Sequence, residues 1–493
     1  MIAGGLLLAV APLPLAVASL AGIGFALALL VRPAIGLWVL PFTVAFGSIR
    51  ELPVAGFAVR ATEVLIGLTV AAWLGCGIAH RRLELKVPPL LVPLLLLLGA
   101  MLLSAMGMYA VPPTAKELAK WGEIVIVYVL VFNLIEDQRA ALVLAGALVL
   151  AGSLSALHGI TGSLLHVGPP QFAILGGRLY RAFGTFGQPN PFGGYMNHAL
   201  PIAVSLVIAA LVTARMENGK WRMENGSCPG RFHFPSSILH LPSSILHLAL
   251  IGISGVLVTG LALSWSRGAW LGAAAGLATV GLAWPATILT DEASDPALQT
   301  VRRGVITLLW LGMALAIVFV LLGGFSLVPA SVAGRIDSAV ATFTTLDARG
   351  ANITDANFAT LERVAHWQAA WDMWRDHFWT GIGIGNYEAA YPEYRLPKWP
   401  YALGHAHNIY FNMAAETGLI GLTAYLVFVG SAVWHSWRVA HRSPEPEIRG
   451  LAVGVLGVLV ALAVHNIFDN MYVHGMGIHL ALALGLVSAL GRR

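Results

Sequence analysis

Apolar stretches of about 20 residues recur along nearly the whole of this 493-residue chain, and a helix of that length crosses the hydrocarbon core of a bilayer. Only 11% of the residues are charged and 57% are hydrophobic, whereas a soluble chain carries about 25% charged residues. Most of the surface must therefore face lipid or other apolar helices. Short segments of alternating polarity are missing, which argues against a membrane β-barrel. The expected fold is all-α: a single transmembrane helix bundle over residues 1–493. The spans fall near 5–31, 34–49, 61–78, 88–109, 118–135, 139–159, 190–213, 248–265, 268–290, 304–324, 417–436, 449–468 and 472–490, about 12 or 13 in all. Met1 opens into an apolar stretch without a basic leader, so the first segment reads as a retained helix.

The orientation can be read from charge. The net charge of +5 is better explained by the positive-inside bias than by nucleic acid, because no basic run with interleaved aromatics occurs. Basic residues cluster at Arg81, Arg82 and Lys86; at Arg215, Lys220, Arg222 and Arg231; at Arg302 and Arg303; at Arg438, Arg442 and Arg449; and at Arg492 and Arg493. Four, two, two and two expected spans separate successive clusters. The even numbers put all five on one side, the cytoplasmic one. Segment 160–189, the Ser266-Arg267-Gly268 turn, the loop 325–416 and the 469–471 turn then lie outside. The long outer loop exceeds a simple connector and is a functional candidate. Residues 214–248 hold two RMENG copies and two PSSILHL copies, too few for a solenoid, and read as a repetitive cytoplasmic insertion. Cys76 and Cys228 are too few for a disulfide framework.

Four outer segments carry candidate chemistry. RLYRAFGTFGQPNPFGGY brings Arg178 and Arg181, whose planar donor forks suit phosphate oxygens, into a Gly/Pro-rich entry to a span that also holds Asn190. The bland alternative is arginines snorkelling to head groups. Arg267, between two apolar spans, is costly unless it meets a counter-charge or a wet cavity. Residues 360–379 have helical periodicity, with Arg363 starting a stripe of Val364, Trp367, Trp371 and Trp374. Simple packing, or tryptophans at head-group depth, accounts for that stripe, and Gly381–Gly385 should end the helix. GHAHN places His405, His407 and Asn408 just before a span, and an imidazole can take a proton from a hydroxyl near neutral pH. Their spacing does not match a zinc signature, no D-x-D or other close carboxylate pair occurs in the loop, and no metal is expected. His465 and His474 are weaker candidates of structural type.

His407-Asn408, nine residues, then Gly418-Leu419-Ile420-Gly421 resembles the signature H-[NSQ]-x9-G-x-x-G of the O-antigen ligase and polymerase superfamily. R-x-F-G-T-F-G-Q-P-N at 181–190, S-R-G-A-W-L-G at 266–272 and R-x-x-x-W at 363–367 occur in that family's order. The resemblance implies a GT-C-like membrane glycosyltransferase with about 12 spans and a large periplasmic loop, in the bacterial inner membrane. Its donor would be glycan on undecaprenyl pyrophosphate, and its acceptor a hydroxyl on glycan, lipid or protein, with no cofactor. It further implies that Arg181, Arg267 and Arg363 bind the pyrophosphate, with Arg178 and Asn190 beside them. His407 would be the general base, and His405 and Asn408 would orient it or the sugar. A multi-span solute transporter, or a scaffold without catalysis, remains the alternative; a transporter should place ionisable residues at mid-span.

Overall fold

The computed structural model describes residues 13–47, 52–54, 57–81, 84–225, 243–287, 303–304, 307, 347–354 and 357–492. Nearly all of the expected span 304–324, the cluster members Arg82, Arg231, Arg302 and Arg493, and the first part of the outer loop fall outside the described residues.

The chain is a bundle of helices: α1 Leu13–Val31, α2 Ala34–Phe46, α3 Ala61–Ala79, α4 Leu91–Ser104, α5 Val111–Leu134, α6 Gln138–Leu164, α7 Pro189–Asn225, α8 Ser243–Ser264, α9 Arg267–Thr287, α10 Phe358–Asp376, α11 Tyr387–Tyr394, α12 Ile409–Arg442, α13 Pro446–His465 and α14 Met476–Leu490. Strand content among the described residues is two small antiparallel hairpins, β1 Leu52–Val54 with β2 Phe57–Val59 and β3 Ala173–Ile174 with β4 Leu179–Tyr180. Among the described residues seven helices are long and apolar enough to cross a membrane, and four shorter apolar helices accompany them. The protein is a multi-pass membrane protein, and the helices stand where the apolar runs predict. α7 continues to Asn225 and α8 begins at Ser243, so both helices reach into the repeat-bearing segment 214–248.

The apolar helices sort by burial. Every residue of α14 is buried, and α13 is almost wholly enclosed between α7, α9 and α12. In lipid there is no hydrophobic force between helices, so close backbone approach through small residues holds them. Gly276 of α9 sits where a Cβ would lie 2.6 Å from Gly457 O of α13, and Gly454 where one would lie 2.8 Å from Ile202 Cα of α7. The peripheral helices carry the lipid-facing side chains, including Leu95, Leu96, Leu426 and Val427.

The bundle has two chemically distinct ends. At one end Lys86 N–H donates to Asn133 Oδ1, Arg492 lies over Phe132, Thr213 donates to Glu447, and Arg438 and Arg442 share a cavity with Gly491. The described members of the C-terminal basic clusters therefore meet at one end. Arg181, Arg267, Arg363, His405 and His407 stand at the other.

The outer loop is bolted to this second end by exchange of backbone hydrogen bonds. Gly418 breaks α12 with φ 65° and ψ −166°, which frees backbone groups on both sides of the break. Ile382 and Gly383 donate to Ala415 O and Glu416 O, and Leu419 and Ile420 donate to Phe378 O and Trp379 O. Gly381, Gly383 and Gly385 all have positive φ, and a Cβ on Gly383 or Gly385 would lie 2.6 Å from the Met108 Cα or Pro113 O. The GIGIG run is thus a clamp between α4, α5 and α12. It does not end α10, which stops earlier, at Asp376. The tryptophan stripe divides as well: Val364 is buried, Trp367 packs on Phe411, and Trp371 is exposed.

Candidate active site

Three arginines far apart in sequence reach one pocket because three different turns deliver them. Arg181 follows the β3–β4 hairpin and donates through Nε to Ser264 O (3.0 Å), while Ala182 N–H donates to Leu263 O. The last carbonyls of α8, which lack intrahelical partners, are thereby satisfied by the segment that carries Arg181. Arg267 opens α9 immediately after Trp265, whose φ of 54° tightens the α8–α9 turn. Arg363 lies on α10 and donates from Nε to Phe468 O (3.2 Å) and from Nη1 to Ala359 O (3.0 Å). The pocket these residues line, about 110 Å³, is completed by Asn190, Ser266, His465 and Asp469. Three guanidinium groups against one carboxylate leave it strongly cationic. Gly268 is needed there, since a Cβ would meet the His465 ring at 2.7 Å.

Asp469 connects this pocket to the histidines. Asn190 Nδ2 donates to Asp469 Oδ2 (3.1 Å) and Arg181 Nη2 donates to Asn190 Oδ1 (3.3 Å). His405 Nε2 and His407 Nδ1 each stand 3.6 Å from Asp469 Oδ1, which also accepts from Asn470 N–H. These separations exceed a formed hydrogen bond but lie within ion-pair reach. Burial alone would push the Asp469 carboxyl up. Contact with His407 and the charges of His405, His407 and His465 outweigh that and hold it well below the usual carboxylate range. Burial pushes His405 down to about 4, against the pull of Asp469.

His405 has its tautomer set locally. His407 N–H donates to His405 Nδ1 (3.0 Å), so the neutral ring carries its proton on Nε2, toward Asp469. His407 has φ 51°, a left-handed conformation uncommon for a side-chain-bearing residue and often found at functional sites. Neither of its ring nitrogens has a hydrogen-bond partner although both are buried. With Nδ1–H turned to Asp469, Nε2 presents a lone pair. His366, buried and edge-on to His407 at 5.5 Å, packs beneath it and is tied to Tyr387 Oη (2.9 Å). Burial pushes His366 down to about 3, so it offers a neutral wall.

His405, His407 and Asp469 bring three potential ligand atoms within 4.8 Å of one another, a donor set of the kind zinc accepts. The His405 tautomer argues against ligation at this site. A metal on Nε2 would require the proton on Nδ1, where it would oppose the His407 N–H.

Not every candidate converges. Arg178 is exposed and does not line the pocket; its carbonyl lies 3.0 Å from His166 Nε2. Asn408 commits Oδ1 to capping α12, accepting from Tyr410 and Phe411 N–H. Asp469 and His366 are the residues that sequence reasoning passes over, and His465, read as structural, lines the pocket. A single Asp between two apolar spans was the available signal for Asp469.

Burial of neutral His405 makes stability depend on pH. Its folded value lies below its ordinary 6.5, so between about pH 6.5 and 4 the unfolded chain binds a proton that the folded one refuses. Stability is full above this window and falls as the pH drops through it, by on the order of 3 kcal/mol. In thermal melts the wild type should lose stability relative to His405→Gln as the pH falls from about 6.5 to 4, with a constant difference above that window. Parallel pH profiles would refute the buried neutral imidazole.

Residues 252–426 match the family model described as O-antigen ligase. The match holds Arg267, Arg363, His405, His407 and Asn408, while Arg181, Asn190 and Asp469 reach the same site from outside it. No curated protein matches the chain. This segment of the chain is therefore similar to the O-antigen ligase family, the same family that the sequence motifs resemble.

Proposed function

We propose that this protein transfers glycan from an undecaprenyl-pyrophosphate carrier to an acceptor hydroxyl, without a metal, on the outer face of the bacterial inner membrane. The observation that carries the reading is the joining of two half-sites: a pocket of Arg181, Arg267 and Arg363, linked through Asn190 and Asp469 to His405 and His407. Preorganised positive charge of this kind acts on negative charge as it develops. His407 Nε2 takes the proton of the acceptor hydroxyl, and the oxygen attacks the anomeric carbon. The bond from that carbon to the diphosphate breaks, and its electron pair leaves on the diphosphate facing the arginines. Asp469 stabilises the imidazolium until the proton passes to water. Support for the outward placement comes from Lys86, Arg438, Arg442, Arg449 and Arg492 at the opposite end of the bundle, since the positive-inside rule assigns basic residues to the cytoplasm. A polyprenyl tail can then stay in lipid while its head group reacts.

Single-turnover transfer from a lipid-diphosphate glycan, in nanodiscs with EDTA present, tests this. Arg267→Ala and Arg363→Ala should each lower the rate about 100-fold or more, and wild type should be unaffected by the chelator. Activity that EDTA abolishes and zinc restores would overturn the metal-independent chemistry. Consumption of donor at wild-type rates by both variants would overturn the role of the arginine pocket.

A further inference from the structure

At the end of the bundle away from the arginine pocket, the C-terminus of α12, the N-terminus of α13 and the C-terminus of α14 enclose a second cavity, of about 220 Å³. We propose that it binds a phospholipid head group that carries both a phosphate and a primary ammonium.

The cavity is lined on one side by Arg438, Val439 and Arg442, which fall on one face of α12 by helical spacing. Among the described residues neither arginine makes an ion pair, unlike Arg492 nearby, which stacks on Phe132. Two unpaired guanidinium forks are matched to one phosphodiester. Glu445 lines the same cavity, and its Oε2 is buried without a hydrogen-bond partner. It occupies the N-cap of α13 yet makes no capping bond. A buried carboxylate oxygen left unsatisfied is costly, and a donor cation is what it lacks. Phosphate beside Arg438 and Arg442, with an N–H-bearing ammonium at Glu445, satisfies both. Ile448 and Leu490 supply an apolar wall for the glycerol region.

Position argues for a lipid rather than a soluble phosphate. Along α12 the exposed residues run Leu426, Val427, Trp434, then Arg438 and Arg442. That order of aliphatic, tryptophan, arginine marks the passage from hydrocarbon to head groups. The frame is rigid there. His435 Nε2 is 3.1 Å from Ser488 Oγ, which is 3.0 Å from Tyr128 Oη, and Arg449 donates twice to Ser443 O, pinning the α12–α13 turn.

The test titrates delipidated full-length protein with phosphatidylethanolamine, phosphatidylcholine and phosphatidylglycerol of matched acyl chains, with binding read by native mass spectrometry. The wild type should hold phosphatidylethanolamine about tenfold more tightly than the other two. Glu445→Gln should erase that preference over phosphatidylglycerol, and Arg438→Ala/Arg442→Ala should weaken all three. If the alanine pair fails to fold, Arg438→Gln/Arg442→Gln serves instead. Equal retention of the three lipids by wild type, or unchanged binding in the arginine variants, would overturn the proposal. Displacement of the lipid by millimolar inorganic phosphate or free phosphoethanolamine would overturn the lipid assignment.

Discussion

Asp469→Asn is expected to slow glycan transfer by about 100- to 10,000-fold while the protein stays folded. The substitution is nearly isosteric, and Asn190 and the Asn470 N–H can still find an oxygen. What changes is the sign of the group facing the two histidines. The carboxylate, within ion-pair reach of His407 Nδ1 at 3.6 Å, favours the proton on that nitrogen and leaves Nε2 with a lone pair. An amide can instead turn an N–H toward Nδ1, favouring the tautomer with Nε2 protonated, which cannot take a proton from a hydroxyl. The imidazolium formed during transfer also loses its counter-charge. Donor affinity should change far less, because Arg181, Arg267 and Arg363 remain. The rate of the chemical step under saturating donor, beside a donor-binding measurement, separates the two effects. A loss of less than about threefold would remove Asp469 from the mechanism.

Gly418→Ala should be the most damaging single-atom addition in the loop clamp, costing about 3 kcal/mol or more. The backbone there, φ 65° and ψ −166°, is in a region reserved for glycine. A Cβ would also fall on the backbone of Trp379 and Thr380, atoms that cannot swing aside as a flexible side chain can. Relief would require separating the loop from α12, breaking the hydrogen bonds of Leu419 and Ile420 to Phe378 and Trp379. Gly430→Ala, in the same helix, is the comparison: nothing lies within 4 Å of its Cβ, so the loss should be far smaller. Thermal melting in detergent reads both. A Gly418→Ala protein as stable as wild type would show that the break in α12 does not depend on glycine.

The family signature from His407 to Gly421 acquires a physical meaning in these terms. Its histidine sits in a left-handed turn over the buried Asp469, and its asparagine caps α12. Gly418 opens the helix so that the loop can pair with it, and the loop in turn holds α10, which carries Arg363, across the pocket. The placement of the proposed catalytic groups and the architecture of α12 rest on the same few residues.

What the sequence determined by itself was set by local physics. Twenty-residue apolar runs must become spanning helices because unpaired backbone is too costly in lipid, and among the described residues Lys86, Arg438, Arg442 and Arg492 meet at one end of the bundle. Arg181 and Arg267 were legible because an arginine at a span boundary needs an anion or water, and Arg363 through the R-x-x-x-W that resembles the family's. The tertiary structure decided what depends on contacts between distant segments. Asp469 gains importance only when α13 and α14 carry it beneath His405 and His407, some sixty residues away in sequence. Arg178 and Arg181, three residues apart and alike in sequence, part because only Arg181 meets the open carbonyls of α8. The GIGIG run looks like a helix stop, and only the backbones of α4, α5 and α12 reveal it as a clamp. A one-dimensional pattern reports which side chains tolerate lipid, whereas charge pairing and close backbone contact are properties of what each residue faces.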